Sequence, residues 1–355
     1  MQAPLRFAIA VTVVLVACEH AAPFSLGEYG PHGPLVGGNP TRLTYNPGQD
    51  LIPAWLRDGS AIVYTGERLD RVDRDRCLAF LPAAGGVISR YVCRTSAPDD
   101  SVNVFEDQAV AGDSMVYVRA STELFLPGIG PDAQELVVAP VANPNAARVL
   151  QRIPFTASWG TTYEALSHLT WLGPSRVAAV GERLYYPVPC RSCQTDTVRT
   201  GIGVLIIDFA ATPVLTRLTV ADSASSLAAD RSGDTLYFTR DGDSLVYRHM
   251  FSSGQTDTLY DFGSLGIARD LSVANGKLVA VVGGAVSYNV DSVLGGSQPD
   301  DGGPLFLLTP GSLPVQIGNS AWLFRRPAVS PDGTHLVVAA WNAAPTADLW
   351  LFQLP

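Results

Sequence analysis

Two copies of one tetrapeptide fix the phase of this chain. Thr41-Arg42-Leu43-Thr44 and Thr216-Arg217-Leu218-Thr219 are identical, yet they stand at different points relative to a longer repeat. The second copy closes a repeat. Nothing before the first copy reads as the rest of such a repeat. The complement lies at the far end, where Pro327-Ala328-Val329-Ser330-Pro331-Asp332-Gly333 through Leu349-Trp350-Leu351-Phe352 forms a repeat lacking its final strand. Repeats cut out of phase predict a ring in which segments from both ends complete one unit.

Six stretches align around one core. They begin at Pro53, Gln108, Leu169, Leu227, Leu271 and Pro327. Each is a short apolar strand, a turn, and a second β-rich run such as Ile62-Val63-Tyr64 or Leu336-Val337-Val338. Asp-Gly, Ser-Gly and Asn-Gly at the joint favour positive φ and a tight hairpin. An apolar third strand follows, as in Val204-Leu205-Ile206-Ile207, then a more polar fourth suited to an outer edge. Charged residues make up only 16% of the chain and the net charge is −9. That composition suits a turn-rich β protein and argues against binding nucleic acid or anionic lipid by charge.

The segments Ala54-Trp55-Leu56-Arg57-Asp58-Gly59-Ser60 and Ala328-Val329-Ser330-Pro331-Asp332-Gly333-Thr334 resemble the TolB-type, WD-like repeat of bacterial β-propellers. The resemblance spans nearly all of residues 41–355 and implies an all-β, six-bladed β-propeller with terminal strand closure. No domain of the TolB kind is read ahead of residue 41, so TolB's own role is not carried over.

Residues 1–17 read as a lipoprotein signal peptide. Arg6 is followed by the apolar run Phe7 to Ala17, too short to span a bilayer. Leu15-Val16-Ala17-Cys18 resembles the bacterial lipobox, which implies cleavage before Cys18 and its lipidation. More than one acyl chain holds a membrane stably. Glu19 rather than Asp after the cysteine favours the outer membrane. The alternative is an ordinary secretory signal with a stray cysteine. Residues 18–40, rich in Gly and Pro, read as a flexible tether.

Four cysteines remain, and outside the cytoplasm an even number suggests disulfides. Cys77 and Cys93 flank a hairpin folded about Gly85, which places them opposite each other. Cys190-Arg191-Ser192-Cys193 admits three readings: a local disulfide, a redox dithiol, or zinc shared with Cys77 and Cys93. The expected disulfide residues are Cys77, Cys93, Cys190 and Cys193.

The link between second and third strands carries the long insertions, from Gly66 to Arg76, Ala120 to Gln134, Gly181 to Gly201 and Gly283 to Gly303. These links emerge on one face, where repeat proteins often bind; neutral drift in loop length is the competing reading. The third is the most distinctive, with Tyr185, Tyr186 and Arg191 as candidate binding-loop residues.

No catalytic constellation stands out. His20 and His32 lie in the tether, His168 and His335 beside inner strands, and His249 at the end of a third strand, all read as packing or surface positions. Gly112-Asp113-Ser114 lacks the trailing glycine of a nucleophile elbow and reads as a turn. Asp70, Asp73 and Asp75, and Asp300-Asp301, do not match a calcium loop. No metal and no cofactor is expected. The reading that follows is a membrane-anchored, extracytoplasmic propeller, a non-catalytic binding or scaffold module with an envelope protein or polymer as partner. The alternative is a propeller hydrolase or lyase acting on an extracellular glycan or polymer, which would need carboxylates or histidines converging at the channel.

Overall fold

The structure is a computed structural model. It describes residues 40–45, 48–67, 76–93, 101–123, 133–154, 162–185, 198–283, 290–291, 296–297, 302–319, 322–341 and 346–355. Alternating apolar runs and Gly-containing turns produce antiparallel hairpins throughout. At Asp58-Gly59 and Asp332-Gly333 the glycines take φ of 72°, which the tight joint between first and second strands requires.

The strands fall into units. The short β1 (Thr41–Arg42) comes first. Unit 1 follows with β2 (Asp50–Trp55), β3 (Ala61–Glu67), β4 (Arg76–Pro82) and β5 (Arg90–Val92). Unit 2 has β6 (Ser101–Ala111), β7 (Ser114–Glu123), β8 (Ala133–Pro140) and β9 (Arg148–Pro154). Unit 3 has β10 (Thr162–Gly173), β11 (Arg176–Tyr185), β12 (Val198–Asp208) and β13 (Val214–Leu218). Unit 4 has β14 (Ala224–Ala229), β15 (Thr235–Arg240), β16 (Leu245–Met250) and β17 (Gln255–Asp261). Unit 5 has β18 (Ile267–Ala274) and β19 (Lys277–Gly283), a small ribbon of β20 (Val290–Asp291) with β21 (Gly296–Ser297), then β22 (Leu305–Leu308) and β23 (Val315–Ile317). Unit 6 has β24 (Leu323–Val329), β25 (His335–Trp341) and β26 (Asp348–Gln353).

The out-of-phase ends join as the tetrapeptides require. β1 is the fourth strand of the sheet β24-β25-β26-β1, with Thr41 opposite Leu351 and Arg42 opposite Trp350. The second copy sits equivalently, with Thr216 opposite Ile206 and Leu218 opposite Val204.

Six separate four-stranded sheets were expected, and the sheet count corrects that. Four are separate: units 3, 4 and 5, and unit 6 with β1. Units 1 and 2 form one eight-stranded sheet, because Arg76 of β4 makes a parallel pair with Val104 of β6. The cause is the short fourth strand β5, only three residues long, which leaves the start of β4 uncovered for the neighbouring strand.

The first strands β2, β6, β10, β14, β18 and β24 neighbour one another in that cyclic order, and β24 returns to β2. Apolar cores lie between consecutive units. Leu43, Ile62, Leu81, Val337, Leu349 and Leu351 fill the space between units 6 and 1. Similar clusters lie between units 1 and 2, 2 and 3, 3 and 4, 4 and 5, and 5 and 6. Units therefore pack face to face, and burial on both faces explains the unbroken apolar runs of the middle strands. Among the described residues no helix is long and apolar enough to cross a membrane.

Candidate functional site on the ring axis

Each first strand carries a bulge, at Leu51/Ala54, Glu106/Ala109, Ser167/Thr170, Ala224/Ser226, Ala268/Leu271 and Arg325/Ala328. Ile52, Asp107, His168 and Arg326 take φ of 52°, 53°, 50° and 50° there. Non-glycine residues rarely adopt that region, so the surrounding contacts must hold them.

For His168 and Arg326 those contacts are side chains from the preceding unit. The backbone N–H of His168 donates to Asp107 Oδ1 at 2.9 Å, and that of Arg326 donates to Asp270 Oδ2 at 2.7 Å. The Leu271 N–H donates to Ser226 Oγ at 3.0 Å. Trp55 and Trp171 occupy the same position in their repeats, and each indole N–H donates to the preceding unit, to the carbonyls of Ala328 and Ala109. The repeat thus stitches neighbouring first strands by one scheme.

Four of these residues also reach across the ring. Arg326 Nη1 lies 2.8 Å from Asp107 Oδ1, joining units 6 and 2. His168 Nε2 lies 2.9 Å from Asp270 Oδ1, joining units 3 and 5. Arg326 Nε lies 3.7 Å from the same Asp270 oxygen. The first two pairs join first strands that are not adjacent and so span the axis, whereas Arg326 and Asp270 lie on neighbouring first strands. Burial alone would raise the Asp270 carboxyl, but the His168 hydrogen bond and the charges of Arg326, His168 and Arg325 hold it far below the ordinary carboxylate range.

Ser167 extends the chain. Its hydroxyl donates to Glu182 Oε1 at 2.5 Å, and its oxygen lies 2.9 Å from His168 Nδ1. Ser167, His168 and Asp270 therefore line up as a Ser-His-Asp series, but the proton lies the wrong way. An activated nucleophile must give its hydrogen to the imidazole, whereas this hydroxyl gives it to a carboxylate. Ser167 is also only 2% exposed.

The sequence reading of His168 as a packing or surface residue is corrected: it is a member of this axial network. The signal was available. Ile52, Asp107, His168, Ser226, Asp270 and Arg326 each stand immediately before the six aligned cores. Tyr185 is likewise corrected. It is not in a loop but ends β11, opposite Thr162 and Val198, because the ladder of unit 3 continues past a bulge at Gly181/Glu182. Tyr186, Cys190, Arg191 and Cys193 lie outside the described residues, as do Cys18, Asp70, Asp73, Asp75, Asp300 and Asp301.

Cys77 and Cys93 form a disulfide, with Cα atoms 4.6 Å apart. The neighbouring pair Leu78 and Val92 shows the hairpin register that brings them together. Gly112-Asp113 is the turn between β6 and β7, and Ser114 opens β7. His249 sits against Thr256 and the edge of Phe251, and burial pushes its imidazole down. Among the described residues no group of three or more His, Cys, Asp or Glu side chains is placed to hold a metal ion.

No protein-family profile and no curated protein matches this sequence. Solved structures do match in fold. A gluconolactonase from Xanthomonas campestris is 13% identical, with a TM-score of 0.53 over 92% of this chain and 95% of that one. The fold is a β-propeller. The calcium-binding protein regucalcin from Agrobacterium tumefaciens is 12% identical, with a TM-score of 0.50 over 91% and 94% of the two chains. A protein assigned as TolB from the same species is 14% identical, with a TM-score of 0.49 over 88% and 93%. At these identities the likeness is one of fold, and the propeller's chemistry rests on its own residues.

Proposed function

We propose that this propeller is a non-catalytic binding or scaffold module, held at the membrane by lipid on Cys18 and contacting an envelope protein or polymer through its insertion-bearing face. The observation that carries the reading is the axis. Asp107, His168, Asp270 and Arg326 are partnered across it by one another, and the Ser167 hydroxyl is committed to Glu182. Axial charged groups already partnered by one another leave the binding role to the outer faces. Starts of first strands and ends of second strands share one end of the ring, as Thr162 opposite Tyr185 illustrates, so the long links all leave from that face.

We take the blade count as six. The two halves of the eight-stranded sheet meet at one residue pair, and an apolar core separates them as it separates every other pair of units. Lipid anchorage and an outer-membrane location are part of the same proposal. The mass of the mature N-terminus tests the anchor.

Cross-linking in intact cells, read by mass spectrometry, tests the binding role. A recurrent partner that disappears when residues 186–197 are shortened supports it. Repeated capture of nothing counts against it.

A second reading is a hydrolase, and the convergence of Ser167, His168 and Asp270 is what favours it. The lactonase activity named for the Xanthomonas relative makes lactones a sensible first substrate class. Hydrolysis of a lactone or ester that Ser167→Ala abolishes without loss of fold would establish this reading in place of the first.

A further inference from the structure

We infer, given the lipid anchor proposed above, that the end of the ring opposite the long insertions rests on the bilayer, its outer rim seated among zwitterionic lipid headgroups. The path of the chain places the anchor at that end. Third strands finish beside the joints of first and second strands: the N–H groups of Ala83, Val141, Phe209, Phe251 and Leu354 donate to the carbonyls of Ser60, Asp113, Ser175, Asp234 and Thr334. The turns from third to fourth strands therefore lie at the end opposite the long links. β1 runs away from that end, since Thr41, Arg42 and Leu43 meet Leu351, Trp350 and Leu349 in that order. Residues 1–39 accordingly join the ring there, and a lipid on Cys18 holds the ring from that end.

The apolar side chains left in water gather at the same end. Among the described residues eight large ones are exposed. Six stand in or within two residues of a turn from third to fourth strand: Val87, Val149, Val214, Leu215, Leu313 and Val315. They belong to units 1, 2, 3 and 5. The other two, Val220 and Leu265, lie in links between units at the insertion-bearing end.

These turns also carry no charge. Residues 83–89, 141–147, 209–213, 251–254 and 309–314 contain no Asp, Glu, Lys, Arg or His, in a chain that is 16% charged. At the headgroup boundary an apolar side chain leaves water favourably, whereas a charge would have to stay hydrated. Single exposed valines and leucines need no explanation; six gathered on one uncharged rim do. Spread over four units, they suit a flat lipid surface better than the compact apolar centre of a protein interface. The joints nearer the axis at this end carry Asp58, Asp113, Asp230 and Asp332. Anionic headgroups are therefore repelled, and the fitting lipid is zwitterionic.

Photolabelling tests the inference. The full mature protein is held by its own anchor in vesicles of phosphatidylcholine and phosphatidylethanolamine that contain a photoactivatable phosphatidylcholine. Labelled peptides are then identified by mass spectrometry. Peptides spanning residues 83–89, 209–215 and 309–315 are expected to take up about tenfold more label than those spanning 219–221 and 263–265. Val214→Asp combined with Leu313→Asp should remove most of that label and leave Tm unchanged, since both positions are exposed. Serine at both positions serves if the aspartates prevent folding. Equal labelling at the two ends, or labelling that the double variant does not reduce, overturns the inference. So does capture of these turns by a cross-linked protein with no lipid label. The mass of the N-terminus in the same sample separates two failures. Acyl chains on Cys18 with unlabelled turns overturn the lipid-facing rim alone, while a mature N-terminus without them overturns the anchor and the rim together.

Discussion

Truncating Leu43 to alanine separates the two copies of the tetrapeptide. Leu218 ends β13 in unit 3, and Leu43 stands at the matching position just past β1, its N–H bonded to the Leu349 carbonyl. Leu43 is fully buried in the core between units 6 and 1, against residues of β3, β4, β25 and β26. Leu218 is half-buried on the core between units 3 and 4. Removing a fully buried leucine side chain costs about 3 kcal/mol, because contacts are lost and the cavity only partly collapses. The half-exposed copy should cost about 1 kcal/mol, from the smaller apolar area involved. For a large domain the first translates into a Tm lower by roughly 6 °C. Urea and thermal unfolding of Leu43→Ala and Leu218→Ala, side by side, measure the difference. Because β1 closes the ring, Leu43→Ala should also keep one cooperative transition while shifting its midpoint. Equal losses in the two variants, or a loss below about 1 kcal/mol at Leu43, would refute the argument that the seam leucine anchors the whole ring.

Two further perturbations address the disulfide and the axis. Replacing both Cys77 and Cys93 by alanine should lower stability by about 3 kcal/mol on the loop-entropy account, given their separation of 16 residues; an unchanged urea midpoint would contradict it. Asp270→Asn leaves His168 without its carboxylate partner and Arg326 with Asp107 alone, and should cost about 3 kcal/mol at pH 7, as breaking buried ion pairs does. The Asp270 carboxyl is depressed in the fold, so its contribution is present above the ordinary value of 3.8 and is lost as pH falls through the folded value. The gap between the unaltered protein and Asp270→Asn should therefore narrow in acid, and a gap independent of pH down to 2 would remove the electrostatic explanation.

Much of the fold was legible because its signals are local. The Asp-Gly joints, the apolar second and third strands and the placement of Cys77 against Cys93 each depend on a few neighbouring residues. The sheet count was not, because a single parallel pair between Arg76 and Val104 depends on how short β5 turns out to be. Tyr185 was misplaced for a related reason: a ladder can run on beyond the apolar core of a strand when its partners also extend.

The axial site shows the division most clearly. The chain itself determined that segments from its two ends complete one unit, since identical tetrapeptides stand out of phase and strand alternation leaves one way to pair them. It also held, in register just before each repeat core, the residues Asp107, His168, Asp270 and Arg326. Only the tertiary structure decided that Arg326 meets Asp107 and His168 meets Asp270. Those partners lie on first strands that are not neighbours, so no sequence spacing relates them. Closing six first strands around one axis brings them within bonding distance, and burial there makes pairing obligatory.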